Sequence, residues 1–102
     1  MASNISTSLI ISTYNRSDAL ELCVKSVLRQ SLLPDEIIIA DDGSKEDTRE
    51  LIHQLAASSE VPIIHVWHED LGFRLASIRN KAIAKASKEY IIQIDGDIVL
   101  HK

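Results

Sequence analysis

Carboxylates gather at the ends of apolar runs in this sequence. Asp95-Gly96-Asp97 follows Ile91-Ile92-Gln93-Ile94, and Asp41-Asp42-Gly43-Ser44 follows Ile37-Ile38-Ile39-Ala40. His68-Glu69-Asp70 succeeds a run ending at Trp67, and Tyr14-Asn15-Arg16 succeeds one ending at Thr13. Acids brought to one rim repel each other unless a cation or hydrogen-bond donors compensate them. The pattern therefore points to a divalent metal, or to a ligand rich in hydroxyl and amide donors. Hard oxygen ligands suit Mg²⁺ or Mn²⁺, either of which can bridge two phosphate groups. An Asp-Gly pair is also a common turn signal, so Asp95-Gly96-Asp97 alone does not separate a metal site from a loop.

The other polar stretches carry paired readings. Adjacent acids point opposite ways in extended backbone, so one of Asp41 and Asp42 is expected to face the rim and accept a base N–H, while the other serves structure. Ser44 reads as a helix cap, with the acids near the positive end of the helix dipole. Arg74 and Arg79-Asn80-Lys81 flank the start of a helical pattern. Their guanidinium groups either contact a diphosphate or pair with Asp41, Asp70 or Asp95 and hold the rim together. Arg79 is the stronger candidate, because Asn80 adds a second polar group. His65, His68 and Glu69 are ligand types for a transition metal, but the place of His65 inside an apolar run favours surface or core histidines. Tyr14 is either a ring stacked on a base or a strand-end aromatic. His53 and His101 carry no signal.

Four runs, Leu9 to Thr13, Glu36 to Ala40, Pro62 to Trp67 and Tyr90 to Ile94, are apolar at consecutive positions, which predicts a parallel sheet buried on both faces. Between them Leu20, Cys23, Val24, Val27 and Leu28 fall on one helical stripe, with Ser17 as the expected N-cap. A second helix is expected to begin at Ser44, with Asp47 three residues on as a capping-box partner, and to place Leu51, Ile52, Leu55 and Ala56 on one face. A third carries Leu75, Ile78, Ala82, Ile83 and Ala86. This alternation predicts right-handed crossovers and a three-layer α/β/α fold with a mostly parallel, Rossmann-like sheet. Ligands of such sheets bind beyond the carboxyl ends of the strands, where all four polar stretches lie.

With 102 residues, 45% of them apolar and 25% charged, the chain is expected to form one small globular domain. A formal charge of −4 from 11 basic and 15 acidic residues leaves no basic stripe, so nucleic acid is not an expected partner. Cys23, on an apolar stripe, reads as a buried structural thiol. The start lacks the order of a secretory signal, and no apolar run approaches the ~20 residues that cross a bilayer. A cytoplasmic protein, peripheral to the inner membrane if longer than this chain, is the expectation.

Together, Leu9-Ile10-Ile11-Ser12-Thr13-Tyr14-Asn15-Arg16, Asp41-Asp42-Gly43-Ser44, Gly72-Phe73-Arg74 with Arg79-Asn80-Lys81-Ala82, and Glu89-Tyr90-Ile91 leading into Asp95-Gly96-Asp97 resemble the inverting family 2 glycosyltransferases. The stretch from His68 to Phe73 resembles a bacterial subgroup associated with cell-surface polysaccharides. The resemblance implies a GT-A fold, of which residues 1–102 would be the nucleotide-sugar-binding part without the acceptor-binding half. It further implies a uridine-diphosphate sugar as donor and a saccharide or lipid-linked acceptor. Tyr14 and Asp42 would contact the nucleobase, Asp41 less securely. Arg79 would lie near the base or diphosphate, Asp95 would reach the ribose, and Asp97 would coordinate Mn²⁺ or Mg²⁺. The family's general base lies downstream of this motif, so no residue here is assigned as catalytic. An apolar tail, Ile98-Val99-Leu100, and an uncovered sheet edge imply self-association.

Two other classes remain open at this level. Asp95-Gly96-Asp97 superficially resembles the nucleophile motif of haloacid-dehalogenase phosphatases, although that motif opens its domain and has its glycine after the second aspartate. A non-catalytic acidic-pocket module shares the α/β order, but Tyr14-Asn15 stands where its acid pair belongs. Dinucleotide binding is disfavoured, since no glycine-rich turn follows the first run.

Overall fold

The apolar runs become strands and the striped segments become helices, in strict alternation. The computed structural model describes residues 6–69 and 75–96, with the side chains of Leu75 and Ala76 excepted. The elements are β1 (Thr7–Thr13), α1 (Ser17–Leu28), β2 (Glu36–Asp41), α2 (Glu46–Ser58), β3 (Ile63–Trp67), α3 (Leu75–Lys85) and β4 (Tyr90–Asp95). The strands form one sheet in the order β3-β2-β1-β4, and every pairing is parallel. None of the described helices is long and apolar enough to cross a membrane.

Alternate strand residues go to opposite layers. Leu9, Ile11, Ile37 and Ile39 pack with Leu20, Cys23, Val24 and Val27 of α1 and with Ile52 and Leu55 of α2. On the other face Ile10, Ile38 and Ala40 meet Ile78 and Ala82 of α3. This is the expected three-layer α/β/α arrangement. The Cys23 thiol is buried in the first of these layers, as its place on the stripe implied. Full burial on both faces holds for β1 and β2 only. β3 is half-buried and β4 is mostly exposed, because each lies at an edge of the described sheet.

Three local expectations are corrected. Ser17 is the first helical residue of α1 and does not cap it; Arg16 holds the N-cap position without a side-chain bond. α2 starts at Glu46 behind Lys45, so Ser44 and Asp47 form no capping box. Instead Asn15, from the loop after β1, accepts the Lys45 N–H through Oδ1 at 2.9 Å, and a neighbouring loop supplies the cap. Pro62 stands outside β3 while its carbonyl accepts the Ile37 N–H at 2.8 Å.

At the amino end of the sheet Glu36 is a buried anchor. Its carboxylate accepts the Ser8 hydroxyl at 2.6 Å, the Ser87 N–H at 2.8 Å and the Ser87 hydroxyl at 3.0 Å. It thereby joins β2, β1 and the segment between α3 and β4. Burial alone would raise its pKa, but the Ser8 hydroxyl, the Ser87 amide and hydroxyl and the Lys88 charge outweigh it and hold the pKa below the ordinary value. A carboxyl depressed by folding stabilises fully above its unfolded pKa, and that contribution is lost as pH falls through the folded value. Urea unfolding of Glu36→Gln should therefore show a loss of about 1.5–3 kcal/mol at neutral pH, the worth of hydrogen bonds to a charged group. The loss should shrink in acid, and a penalty unchanged between pH 7 and pH 3 would contradict this role for the charge.

Candidate functional site

The order of the strands locates a crevice. From β1 the chain steps outward to β2 and β3 through helices packed on one face, then returns past β1 to β4 through α3 on the other. The direction of winding reverses between β1 and β4, and open parallel sheets bind ligands at the carboxyl edge of such a reversal. Here that edge is made by Ser12 and Thr13 on one side and by Asp95 and Gly96 on the other.

Asp95 is the register partner of Ser12. Its Oδ1 accepts the Ser12 hydroxyl at 3.1 Å and Arg79 Nη2 at 3.0 Å, while the side chain stays 60% exposed. Arg79 thus takes the rim-holding arrangement. Gly96 continues the approach, its N–H donating to the Ser12 carbonyl at 2.7 Å. A Cβ at Gly96 would stand 2.7 Å from that oxygen, so close packing of backbones requires this glycine. On the opposite layer the buried Cys23 thiol approaches the Asp95 carbonyl at 3.9 Å.

The two acids at the end of β2, Asp41 within it and Asp42 just after, part to opposite faces, as extended backbone dictates, yet both are buried. Asp41 accepts the Ser44 N–H at 2.8 Å and His65 Nε2 at 2.8 Å, so both of its oxygens hold the turn and the neighbouring strand. Gly43, at φ 91°, permits that turn. Asp42 lies on the α3 side, where Oδ1 meets His68 Nε2. His68 Nδ1 in turn is 3.1 Å from Lys81 Nζ on α3. A carboxylate only accepts and an ammonium only donates, so the His68 proton sits on Nε2. Asp41 takes the structural part expected of one acid of the pair, and Asp42, on the α3 side, is only 2% exposed. His65, half-buried, and His68, buried, satisfy aspartates, a role with no signature in the sequence.

The loops themselves are tied together. The Asn15 N–H donates to Ser44 Oγ at 2.8 Å, and Asn15 adopts φ 48°, a left-handed conformation that asparagine tolerates. Tyr14, next to it, is 44% exposed at the end of β1. Beyond Asp41, a cleft of about 590 Å³ is lined by Ser44, Lys45, Glu46, Arg49, His65 and Trp67, away from the β1–β4 crevice. Among the described residues no group of three His, Cys, Asp or Glu could hold a metal ion. Asp97, the expected metal ligand, lies outside the described residues, as do Asp70, Leu71, Gly72, Phe73, Arg74, Ile98, Val99, Leu100 and His101. Tyr14 follows β1, and Asp95, with Arg79 bound to it, ends β4 at the same edge; the sequence did not reveal Ser12 as a partner of Asp95, His65 as a partner of Asp41, or His68 with Lys81 behind Asp42.

The architecture recurs in solved structures. The Staphylococcus aureus TarS fragment 1–349 in complex with UDP-GlcNAc superposes with a TM-score of 0.79 over 91% of this chain and 27% of its own, at 22% identity. By sequence the chain is 34% identical over 92 residues to a chondroitin synthase of Escherichia coli. It is 33% identical over 94 residues to a validoxylamine A glucosyltransferase of Streptomyces hygroscopicus subsp. limoneus. These matches cover 89% and 90% of this chain but span only 13% and 20% of the two relatives. Residues 8–102 match the model of the family described as Glycosyl transferase family 2, and the chain belongs to that family.

Proposed function

We propose that this chain is the donor-binding part of an inverting glycosyltransferase. It would take a sugar from a nucleoside-diphosphate sugar, a uridine diphosphate sugar first among them, for transfer to a saccharide or lipid-linked acceptor in the cytoplasm. The observation that carries the reading is the exposed Asp95 carboxylate at the β1–β4 reversal, with Tyr14 exposed at the same edge. Family membership supports it, as does a UDP-GlcNAc complex of a protein with this fold. Tyr14 and Asp42 would meet the base, Arg79 the base or diphosphate, and Asp95 the ribose. Asp95 and Tyr14 can meet a ligand where they stand, whereas a base reaches the 2%-exposed Asp42 only by displacing its neighbours.

Exposed carboxylate oxygen at this edge is hard-ligand chemistry, and Mg²⁺ is commonly held by one or two carboxylates together with substrate phosphates. Asp97 is the residue we assign to hold a Mn²⁺ or Mg²⁺ ion, with Asp95 two positions before it in sequence. Such an ion, when bound, offsets charge developing on a diphosphate leaving group. Donor binding needs no general base. Transfer does, and its loss costs about 10²–10⁴ in rate, so the isolated chain should bind donor without transferring efficiently.

Calorimetric titration with UDP tests the assignment. Binding is expected in the presence of Mn²⁺, weakened about tenfold or more by Asp97→Ala, the loss that follows from removing one charged contact. Equal affinity in that variant would remove Asp97 as the metal ligand, and no binding with or without Mn²⁺ would overturn the donor reading.

Self-association belongs to the same proposal. Tyr90, Ile91 and Ile92 of β4 are 53%, 41% and 51% exposed. Ile92 and Ile94 also line a groove of about 360 Å³ with Leu9, Val27 and Leu32. Light scattering should give a mass above the 11.4 kDa of one chain as concentration rises. A charge at the edge, Ile92→Lys, should reduce it, since charged edges discourage pairing. A monomer throughout would refute the expectation.

A further inference from the structure

We infer that Ser12 and Arg79 are positioning residues that present one oxygen of Asp95 to a vicinal diol of the ligand, the ribose in the reading proposed above. The inference rests on that reading for the identity of the diol. The geometry is asymmetric. Both protein donors, the Ser12 hydroxyl at 3.1 Å and Arg79 Nη2 at 3.0 Å, converge on Oδ1. Oδ2 has no partner among the described residues, and the side chain is 60% exposed. A carboxylate with one oxygen tied from two directions loses rotation about its terminal torsion, so the other oxygen is aimed rather than averaged.

The two donors come from independent elements, and both are well placed to hold. Ser12 is 6% exposed in β1, its backbone carbonyl occupied by the Gly96 N–H at 2.7 Å. It follows Ile11, the register partner of Ile94, and so moves with the strand that bears Asp95. Arg79 projects from α3, one position after the fully buried Ile78 that docks this helix on the sheet. Three elements therefore fix one carboxylate at the reversal point. An oriented acceptor gains from a diol because hydroxyl hydrogens turn to meet it, while the protein has already lost the freedom of its own side chain.

Arg79 is thereby given a role that does not require it to reach the diphosphate. An arginine bound only to diphosphate would weaken every nucleoside diphosphate alike when removed. A positioning arginine weakens chiefly those that carry the diol.

The test compares UDP with 2′,3′-dideoxy-UDP, which lacks both hydroxyls, by calorimetry on the whole 102-residue chain in the presence of Mn²⁺. The unsubstituted chain should prefer UDP by about tenfold, as for one hydrogen bond to a charged group. Ser12→Ala and Arg79→Met should each bring the ratio toward unity, and Ser12→Ala, which removes no group assigned to the ligand, should leave affinity for the dideoxy compound little changed. Arg79→Lys, which keeps a donor on the same helix position, should restore part of the preference. Thermal unfolding of each variant separates this from a structural effect, because a merely destabilised chain would bind both nucleotides less well at an unchanged ratio. If the unsubstituted chain discriminates and both variants keep its full ratio, the positioning role is wrong and the donor reading survives. If the unsubstituted chain binds neither compound, the donor reading falls and takes this inference with it.

Discussion

A carboxylate at the end of a buried strand is tolerated only where donors are aimed at it, since an unpaired buried charge costs more than any single packing contact returns. Of the described acids at the carboxyl edge of this sheet, Asp41, Asp42 and Asp95 each have their own donor. His65 and the Ser44 amide serve Asp41, His68 serves Asp42, and Ser12 with Arg79 serves Asp95. The donors come from β3, from the segment just after it, from β1 and from α3, so satisfying the acids also fastens the layers together. The mutual repulsion read from the sequence is resolved first by the protein itself. Among the described residues Asp95 Oδ2 has no partner, and its side chain is 60% exposed.

That division separates acids enclosed by the scaffold from one left exposed, which motif matching does not do. Asp41 and Asp42 are neighbours in one motif, but the alternation of extended backbone sends them to different layers. Asp41 spends both oxygens on the turn and on β3, and is best understood as part of the scaffold. Asp42 is held through His68 by Lys81, on the same layer as Asp95 and Arg79. The α3 side of the sheet therefore gathers Asp42 and Asp95, and α3 supplies the cations Lys81 and Arg79 beside them.

The layers and their alternation were legible because they depend on local pattern. The stripe Leu20, Cys23, Val24, Val27 is buried almost as drawn, and Ile78 with Ala82 forms the opposite layer. Strand order was not legible, since nothing local to Tyr90–Asp95 says that this strand returns beside β1 rather than beyond β3. Without it, Ser12 could not be connected to Asp95 across 83 residues of sequence. The caps failed for a related reason. Ser44 has the right residue type and neighbours for an N-cap, but tertiary contacts outbid the local motif: its hydroxyl serves Asn15, and Asn15 caps Lys45 in its place. The edge strands were misjudged because runs of isoleucine do not reveal whether a covering layer exists.

β4 shows why the ends of a strand can matter more than its faces. Its side chains are mostly exposed and it pairs with β1 alone among the described strands, so apolar burial holds it weakly. Its two ends are nevertheless fixed. Before it, Ser87 is bound by the buried Glu36 carboxylate, and Lys88 donates its N–H to Ser8 Oγ at 3.3 Å. After it, the Gly96 N–H meets the Ser12 carbonyl at 2.7 Å, and Asp95 is tied to Ser12 and Arg79. Polar clamps at both ends locate an exposed strand to the accuracy of a hydrogen bond. Losing either clamp would leave Asp95 on a strand free to shift along β1, and a shift by one residue would turn its carboxylate to the other face. The order of this edge is thus supplied by a serine, an arginine and a buried glutamate rather than by the isoleucines of β4.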